Sequence, residues 1–318
     1  MVVDVFICKQ AHCKVIDISF ICLTYNQEGL VLDHLESLRV VVEKYLKNNY
    51  IIELIIADDG SSDGTLKVIK DWIDNHSFVF NAIKIVSDGK NRGTCKNFSS
   101  AIRACSGRMI KFLAGDDIYL DSDISVVFQK LNFCDVVLTP TISFTKHSEY
   151  IEGALDKMRF NIDSYANRPF VDIKSKMISA PATPGVFINK NIYSDEILDF
   201  IEQFDLIEDR SFWLKALQVY ENLKIESTSS PIIAYRYHNF SVSKQKKSLI
   251  TNRFLNDQAK LTKLQIYLTK SLLYKFIYFY EYMFLVFGKS QPKFLNLQAL
   301  IFNVKYKLFV FKMKFIKK

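Results

Sequence analysis

Between residues 16 and 117 the chain alternates short apolar, β-branched runs with longer segments whose apolar residues recur three and four positions apart. The runs cover residues 16–23, 51–57, 82–87 and 109–113, and each is followed by a polar turn rich in Asp, Asn or Gly. Continuous apolar runs of this length read as strands covered on both faces. Between them, Leu32, Leu35, Leu38, Val42 and Leu46 mark one face of a helix over residues 30–46. Further helices are expected from Thr65 to about residue 75 and from Thr94 to Cys105. Strands joined by helices of this length need crossover connections, which predicts an α/β fold built on a mainly parallel sheet with helices on both faces. Ligands of such sheets bind beyond the carboxyl ends of the strands, and the Asp-rich turns fall on that edge.

Later segments are less regular. Residues 143–179 show mixed polarity and weak periodicity, and no structure is assigned to them. A turn and strand are expected over residues 181–190, helices over 192–204 and 210–220, and a last strand over 232–237. The six cysteines (8, 13, 22, 95, 105 and 134) form no CxxC pair and have no His partner at zinc-site spacing. Together with the lack of a cleavable leader, this predicts reduced, mostly buried thiols and a cytosolic compartment.

Charge divides the chain in two. The net charge is +8, yet residues 244–318 hold 16 Lys and Arg against only Asp257 and Glu281, a net +14. The first 243 residues hold 26 basic against 32 acidic side chains, a net −6. A basic patch on an acidic body is not the charge distribution of a nucleic-acid enzyme, and no nucleic-acid partner is expected. The basic region is helical in character and rich in Phe and Tyr. It reads as an interfacial helix or hairpin held on the anionic cytoplasmic leaflet, or as a helical cap packed on the body, or as an oligomer interface. Residues 271–288, its most apolar stretch, contain Lys275 and Glu281 and barely reach bilayer length. The expected division is a body over residues 1–243 and a membrane-associating helical tail over 244–318.

The candidate chemistry lies in the turns. Asp58 and Asp59 open the octapeptide ending at Thr65, where carboxylates at a strand end can accept hydrogen bonds from a base edge or from ribose hydroxyls. Asp63 or Thr65 can cap the helix that follows. Asp116 and Asp117 end another apolar run. Adjacent carboxylates in such a setting repel unless a cation or hydroxyls satisfy them. Mg²⁺ or Mn²⁺ bridging two phosphates is their natural partner. Glu208 and Asp209 stand at the start of an amphipathic helix, where a carboxylate stays ionised.

These pieces resemble, in order, the motifs of the inverting glycosyltransferase family 2 with the GT-A fold, a Rossmann-like architecture. The resemblance runs from residue 16 to residue 243. It is carried by Ile18 to Asn26, by Glu53 to Thr65, by Asn91-Arg92-Gly93, by Gly115-Asp116-Asp117, and by Glu208-Asp209 followed by Trp213. It implies transfer of a sugar from a nucleotide-diphosphate donor, with UDP the expected nucleotide. The acceptor would be a hydroxyl of a glycan or lipid-linked glycan in bacterial surface polysaccharide such as O-antigen or capsule. Thr24, Tyr25 and Asn26 would lie along the donor, Tyr25 against the base. Asp59 would contact the base, with Asp58 beside it on the donor and Asp116 near the ribose, and Asp117 on the divalent metal. The resemblance makes Asp209 the general base, with Glu208 the alternative. Arg236, after the last strand, is expected on the diphosphate, and His238 on the metal or a phosphate unless it is structural. Arg92 either faces the donor or is a solvated loop residue. The segment Pro181 to Gly185 would border the acceptor. The resemblance and the basic tail together place the enzyme on the cytoplasmic face of the plasma membrane.

Two other classes compete. A sugar nucleotidyltransferase would carry a Gly-rich basic loop after its first strand, where this chain has Leu23 to Gly29. A binding module that had lost catalysis would not need both Asp117 and Asp209.

Overall fold

The computed structural model describes residues 2–7, 15–144, 154–179, 183–237, 249–286 and 296–316. Its centre is an eight-stranded sheet in the order β1-β4-β3-β2-β5-β9-β7-β10. The four strands expected from the apolar runs are β2 (Ile18–Thr24), β3 (Ile52–Asp58), β4 (Ala82–Ser87) and β5 (Met109–Ala114). They are mutually parallel, with β2 central between β3 and β5. Strand β1 (Val2–Ile7), which the sequence reading did not assign, adds antiparallel to β4. On the other side β9 (Val186–Asn189) runs antiparallel to both β5 and β7 (Val136–Leu138), and β10 (Ile225–Ser227) pairs parallel with β7.

Alternate side chains of the parallel strands feed two cores. Ile18, Phe20, Cys22, Leu54 and Ile56 pack beneath α1 (Val31–Val41) and α2 (Thr65–His76), whose apolar stripes close that face. Ile21, Ile55, Ala57, Ile110 and Phe112 face α3 (Thr94–Ala104), α7 (Asp195–Ile201) and α8 (Glu208–Val219). Burial on both faces is what makes the strands read as unbroken apolar runs. The four described cysteines, 22, 95, 105 and 134, are all free and buried.

Strand β11 (Ile233–Arg236) leaves the main sheet and forms a three-stranded sheet with β6 (Ile118–Tyr119) and β8 (Thr141–Phe144). The region without an assigned structure contains helices α5 (Ala154–Ala166) and α6 (Phe170–Lys176). The basic region forms α9 (Leu249–Leu268), α10 (Leu272–Val286) and α11 (Leu297–Ile316). Leu261 of α9 lies in the core with α8, and Tyr278 of α10 donates its hydroxyl to the carbonyls of Lys176 and Met177. Among the described residues no helix is long and apolar enough to cross a membrane.

Candidate active site

The turns after β2 and β3 are laced into one unit. The backbone N–H of Asn26, a residue at φ 51°, donates to Ser61 Oγ, and its side-chain oxygen accepts from Ser62 N–H at 2.8 Å. Gln27 N–H donates to Thr65 Oγ1 at 2.7 Å, and Glu28 and Gly64 join the two turns again. Asn26 is therefore spent on the loop itself. Asp58 closes its own turn, accepting from the N–H groups of Gly60 and Ser61 and from the Ser61 hydroxyl. Gly60 sits at φ +73°, where a Cβ would stand 2.6 Å from the backbone of Lys90, so only glycine lets the turns meet. Tyr25 is left 44 % exposed above this floor, while the Thr24 hydroxyl is buried with no hydrogen-bond partner among the described residues.

Asp59 reaches across to the next turn. Its two carboxylate oxygens accept from Arg92 N–H at 2.7 Å and Gly93 N–H at 3.0 Å. Burial nonetheless raises its pKa. The Arg92 guanidinium points elsewhere, pairing with Asp88 in an exposed loop, so this residue serves the site through its backbone. Gly93, at φ +90°, packs its Cα on the carbonyl of Asp205, which a Cβ would approach to 2.7 Å. The Asp205 carbonyl also accepts from Cys95 N–H. The carboxylate expected at the base and the loop leading to Glu208-Asp209 are thus one residue apart.

Asp116 and Asp117 divide by burial. Asp117 is closed inside, its Oδ1 accepting from Arg236 N–H at 2.8 Å, while Asp116 is half-exposed. Burial, and then the Asp116 charge, push the Asp117 carboxyl up to about 8. Such a pair suits a divalent cation, which would favour the ionised form of both. Among the described residues no three His, Cys, Asp or Glu side chains group as a ready-made metal cage, so the ligand's phosphates would have to complete the shell. Arg236 lies behind the pair and does not face outward. Its Nε donates to the Asp116 carbonyl at 2.7 Å, its Nη2 to Asp33 Oδ2 at 2.8 Å, and its guanidinium covers the Phe144 ring. It holds the turn from inside rather than offering a free fork to a diphosphate. His238, Pro181 and Ala182 lie outside the described residues.

Two buried polar residues were missed by sequence reasoning. His34 places one ring nitrogen 2.9 Å from the Asp117 carbonyl, and burial lowers its pKa to about 4. Lys111, wholly buried in β5, donates to the carbonyls of Pro184 and Val186 and lies over the Phe187 ring; burial brings it down to about 7. The signals were present. His34 falls on the apolar stripe of α1 between Val31 and Leu35, and Lys111 interrupts an apolar strand.

Glu208 and Asp209 begin α8, where unpaired backbone N–H groups favour negative charge. Both line a small cavity with Phe98, Phe112, Val186, Tyr193, Phe212 and Trp213. Apolar burial, and then the Asp209 charge, push the Glu208 carboxyl up to about 8.

Comparison with known proteins follows the same geometry. Residues 19–181 match the family described as Glycosyl transferase family 2. The poly-beta-1,6-N-acetyl-D-glucosamine synthase of Staphylococcus epidermidis is 33% identical over 115 residues, 36% of this chain and 25% of that protein. The chain thus spans about a quarter of that relative. The UDP-Glc:alpha-D-GlcNAc-diphosphoundecaprenol beta-1,3-glucosyltransferase WfaP of Escherichia coli is 25% identical over 73% of this chain and 82% of its own length. Among solved structures, S. aureus TarS 1-349 in complex with UDP-GlcNAc superposes with TM-score 0.58 at 18% identity, covering 86% of this chain and 73% of that one. The mannosyltransferase PcManGT of Pyrobaculum calidifontis, in complex with GDP-Man and Mn2+, gives 0.53 at 14% identity over 85% and 70%. At these identities the structural likeness establishes the fold, GT-A.

Proposed function

The chain belongs to glycosyl transferase family 2, and on that premise we propose that it transfers a sugar, with inversion, from a nucleotide-diphosphate donor to a glycan hydroxyl in bacterial polysaccharide synthesis. The observation that carries this reading is Gly93, bonded to Asp59 on one side and packed on Asp205 on the other. It sets a donor-side carboxylate and a catalytic-side loop at the same edge of one sheet. The donor base lies on Tyr25 beside Asp59, and the ribose and diphosphate extend towards Asp116. Asp116, the more exposed of the pair, would hold a Mn²⁺ or Mg²⁺ ion together with the donor phosphates, with the buried Asp117, the ligand expected from the sequence, behind it. When bound, the ion neutralises charge on the departing diphosphate. The complex of a structural neighbour with GDP-Man and Mn2+ supports the metal, and that of another with UDP-GlcNAc supports a UDP-sugar.

Asp209 takes the acceptor proton as the hydroxyl oxygen bonds to the anomeric carbon, on the face opposite the breaking carbon–phosphate oxygen bond. Glu208, held protonated by its apolar surroundings, adds no charge of its own beside the acceptor. Lys111 and Arg236 are positioning residues, for the segment at Pro184 and for the Asp116-Asp117 turn.

The acceptor is a lipid-linked glycan met at the membrane surface. WfaP, whose name specifies a diphosphoundecaprenol-linked acceptor, supports this. So does the outer face of α10, where Leu272, Phe276, Phe279, Met283 and Val286 are exposed at helical spacing beside exposed Lys270 and Lys275. Replacing Leu272, Phe276 and Phe279 with Ser should release the folded protein from vesicles containing anionic lipid; undiminished binding rejects the membrane surface. For the chemistry, turnover of a panel of UDP-, GDP- and dTDP-sugars with Mn²⁺ is the test. Asp209→Asn and Asp116→Ala should each lower transfer by roughly a hundredfold or more, and full turnover in either variant overturns the assignment.

A further inference from the structure

We propose that α9, the first helix of the basic region, is a positioning part of the catalytic centre, clamping on both sides the segment that carries Asp209 at the start of α8. The inference rests on Asp209 being the base, and it assigns a role to residues that no family motif covers.

On the upstream side, Asp257 is 1% exposed, and its Oδ2 accepts from the N–H groups of both Asp205 and Leu206, each at 2.8 Å. A buried carboxylate is tolerated only when its lone pairs are satisfied, so this one ties the loop to a fixed point three residues before Asp209. One turn earlier, Arg253 Nε donates to the Asp205 carboxylate at 3.2 Å, and its guanidinium lies 3.2 Å from where a Cβ on Gly93 would stand. The helix therefore touches the point where the donor turn meets the catalytic loop.

On the downstream side, Arg210 directly follows the base. Its guanidinium donates to Thr262 Oγ1 at 2.9 Å and to Gln265 Oε1, both buried on α9. Glu281 of α10 lies 3.6 Å from the same guanidinium. Residues 253, 257, 261 and 265 share one face of α9, and Leu261 between the polar anchors is fully buried in the core. The charge pattern gains a meaning from this. Asp257 and Glu281 are the only acids from residue 244 to the end, and both are spent on the clamp. A region that serves only as a basic anchor has no use for them there.

The test compares full-length wild type with Asp257→Ala, Asp257→Asn and Glu281→Gln. Amide hydrogen exchange at residues 205 and 206 should rise about tenfold or more in Asp257→Ala, because two charge-assisted hydrogen bonds are lost. Exchange in β2 and β3 should stay as in wild type. On a nucleotide sugar that wild type turns over, kcat should fall roughly ten- to a hundredfold with donor KM changed less than twofold. Asp257→Asn, which keeps one acceptor oxygen, should recover part of both effects, and Glu281→Gln should lower kcat by a few fold. Unchanged exchange at residues 205 and 206 overturns the clamp. So does an equal rise across the whole fold, or a normal kcat in Asp257→Ala. Should wild type turn over no nucleotide sugar, the functional reading fails, and the exchange measurement still decides the clamp.

Discussion

At the amino-terminal edge of the main sheet Glu53 is fully buried, yet it accepts from Ser19 Oγ and from the N–H groups of Ser106 and Gly107 and pairs with Lys84 at 2.9 Å. Asp17 and Asp135 are likewise taken up by backbone N–H groups of neighbouring segments. At the carboxyl edge of the same strands, carboxyls are crowded together. Asp59, Asp117 and Glu208 are held above the usual carboxylate range by burial. Thr24 Oγ1, Gln27 Oε1, His34 Nε2 and Tyr119 OH are buried there without hydrogen-bond partners among the described residues. Both edges hold buried charge. At one the buried charge is paired by the chain, though Asn189 Oδ1 is buried there without a hydrogen-bond partner among the described residues, and at the other the buried carboxyls crowd one another. An edge left electrostatically incomplete, at a cost in stability, is where a ligand's hydroxyls, phosphates and cation belong.

The contrast predicts opposite outcomes for mutations at the two edges. Asp209→Asn should reduce kcat by roughly 10²–10⁴-fold, the usual worth of a general base, with little change in thermal stability. Steady-state kinetics beside a melting curve checks both halves. Lys84→Met should cost about 3–5 kcal/mol of stability in denaturant unfolding, because it leaves the Glu53 carboxylate buried and unpaired. Activity per folded molecule should be unchanged, and a specific loss of kcat would mean the edges are not separate. Arg236→Lys cannot keep both the Asp33 and the Asp116 contacts, so kcat should fall about tenfold with the fold intact.

The remaining effect is a pH profile. The Glu208 carboxyl has its folded pKa raised from 4.5 to about 8, so the fold favours its protonated form. Its contribution to stability is complete below about 4.5 and is lost as pH rises through about 8. Glu208→Gln should therefore gain stability over wild type progressively across that window and level off above it. A difference independent of pH would contradict the buried, protonated state.

Much of this was legible in the residues. Runs such as Ile52–Asp58 are strands because both faces are covered, and the Asp-rich turns lie at their carboxyl ends for the topological reason stated. The direction of side chains was not legible. Asn26, Arg92 and Arg236 carry the right chemistry in the right turns, but their side chains are spent on Ser62, Asp88 and Asp33. Local pattern does not record which partner wins. Helices α5 and α6 escaped because Ile162, Tyr165, Phe170 and Ile173 bury a narrow face among polar neighbours, a weak periodic signal. The alternative reading of residues 249–268 as a cap packed on the body named no contact, because their net charge hides Asp257, the acid that meets Asp205 and Leu206.

Ligand-induced stabilisation tests the central contrast most directly. UDP with Mn²⁺ at about a hundred times its Kd should stabilise wild type by about 2.7 kcal/mol. Asp116→Ala, with its unliganded melting temperature intact, should lose most of that gain. The same protection in Asp116→Ala as in wild type, or none in wild type from UDP, GDP or dTDP with Mn²⁺, would contradict a carboxyl edge built to be completed by a metal-bound nucleotide sugar.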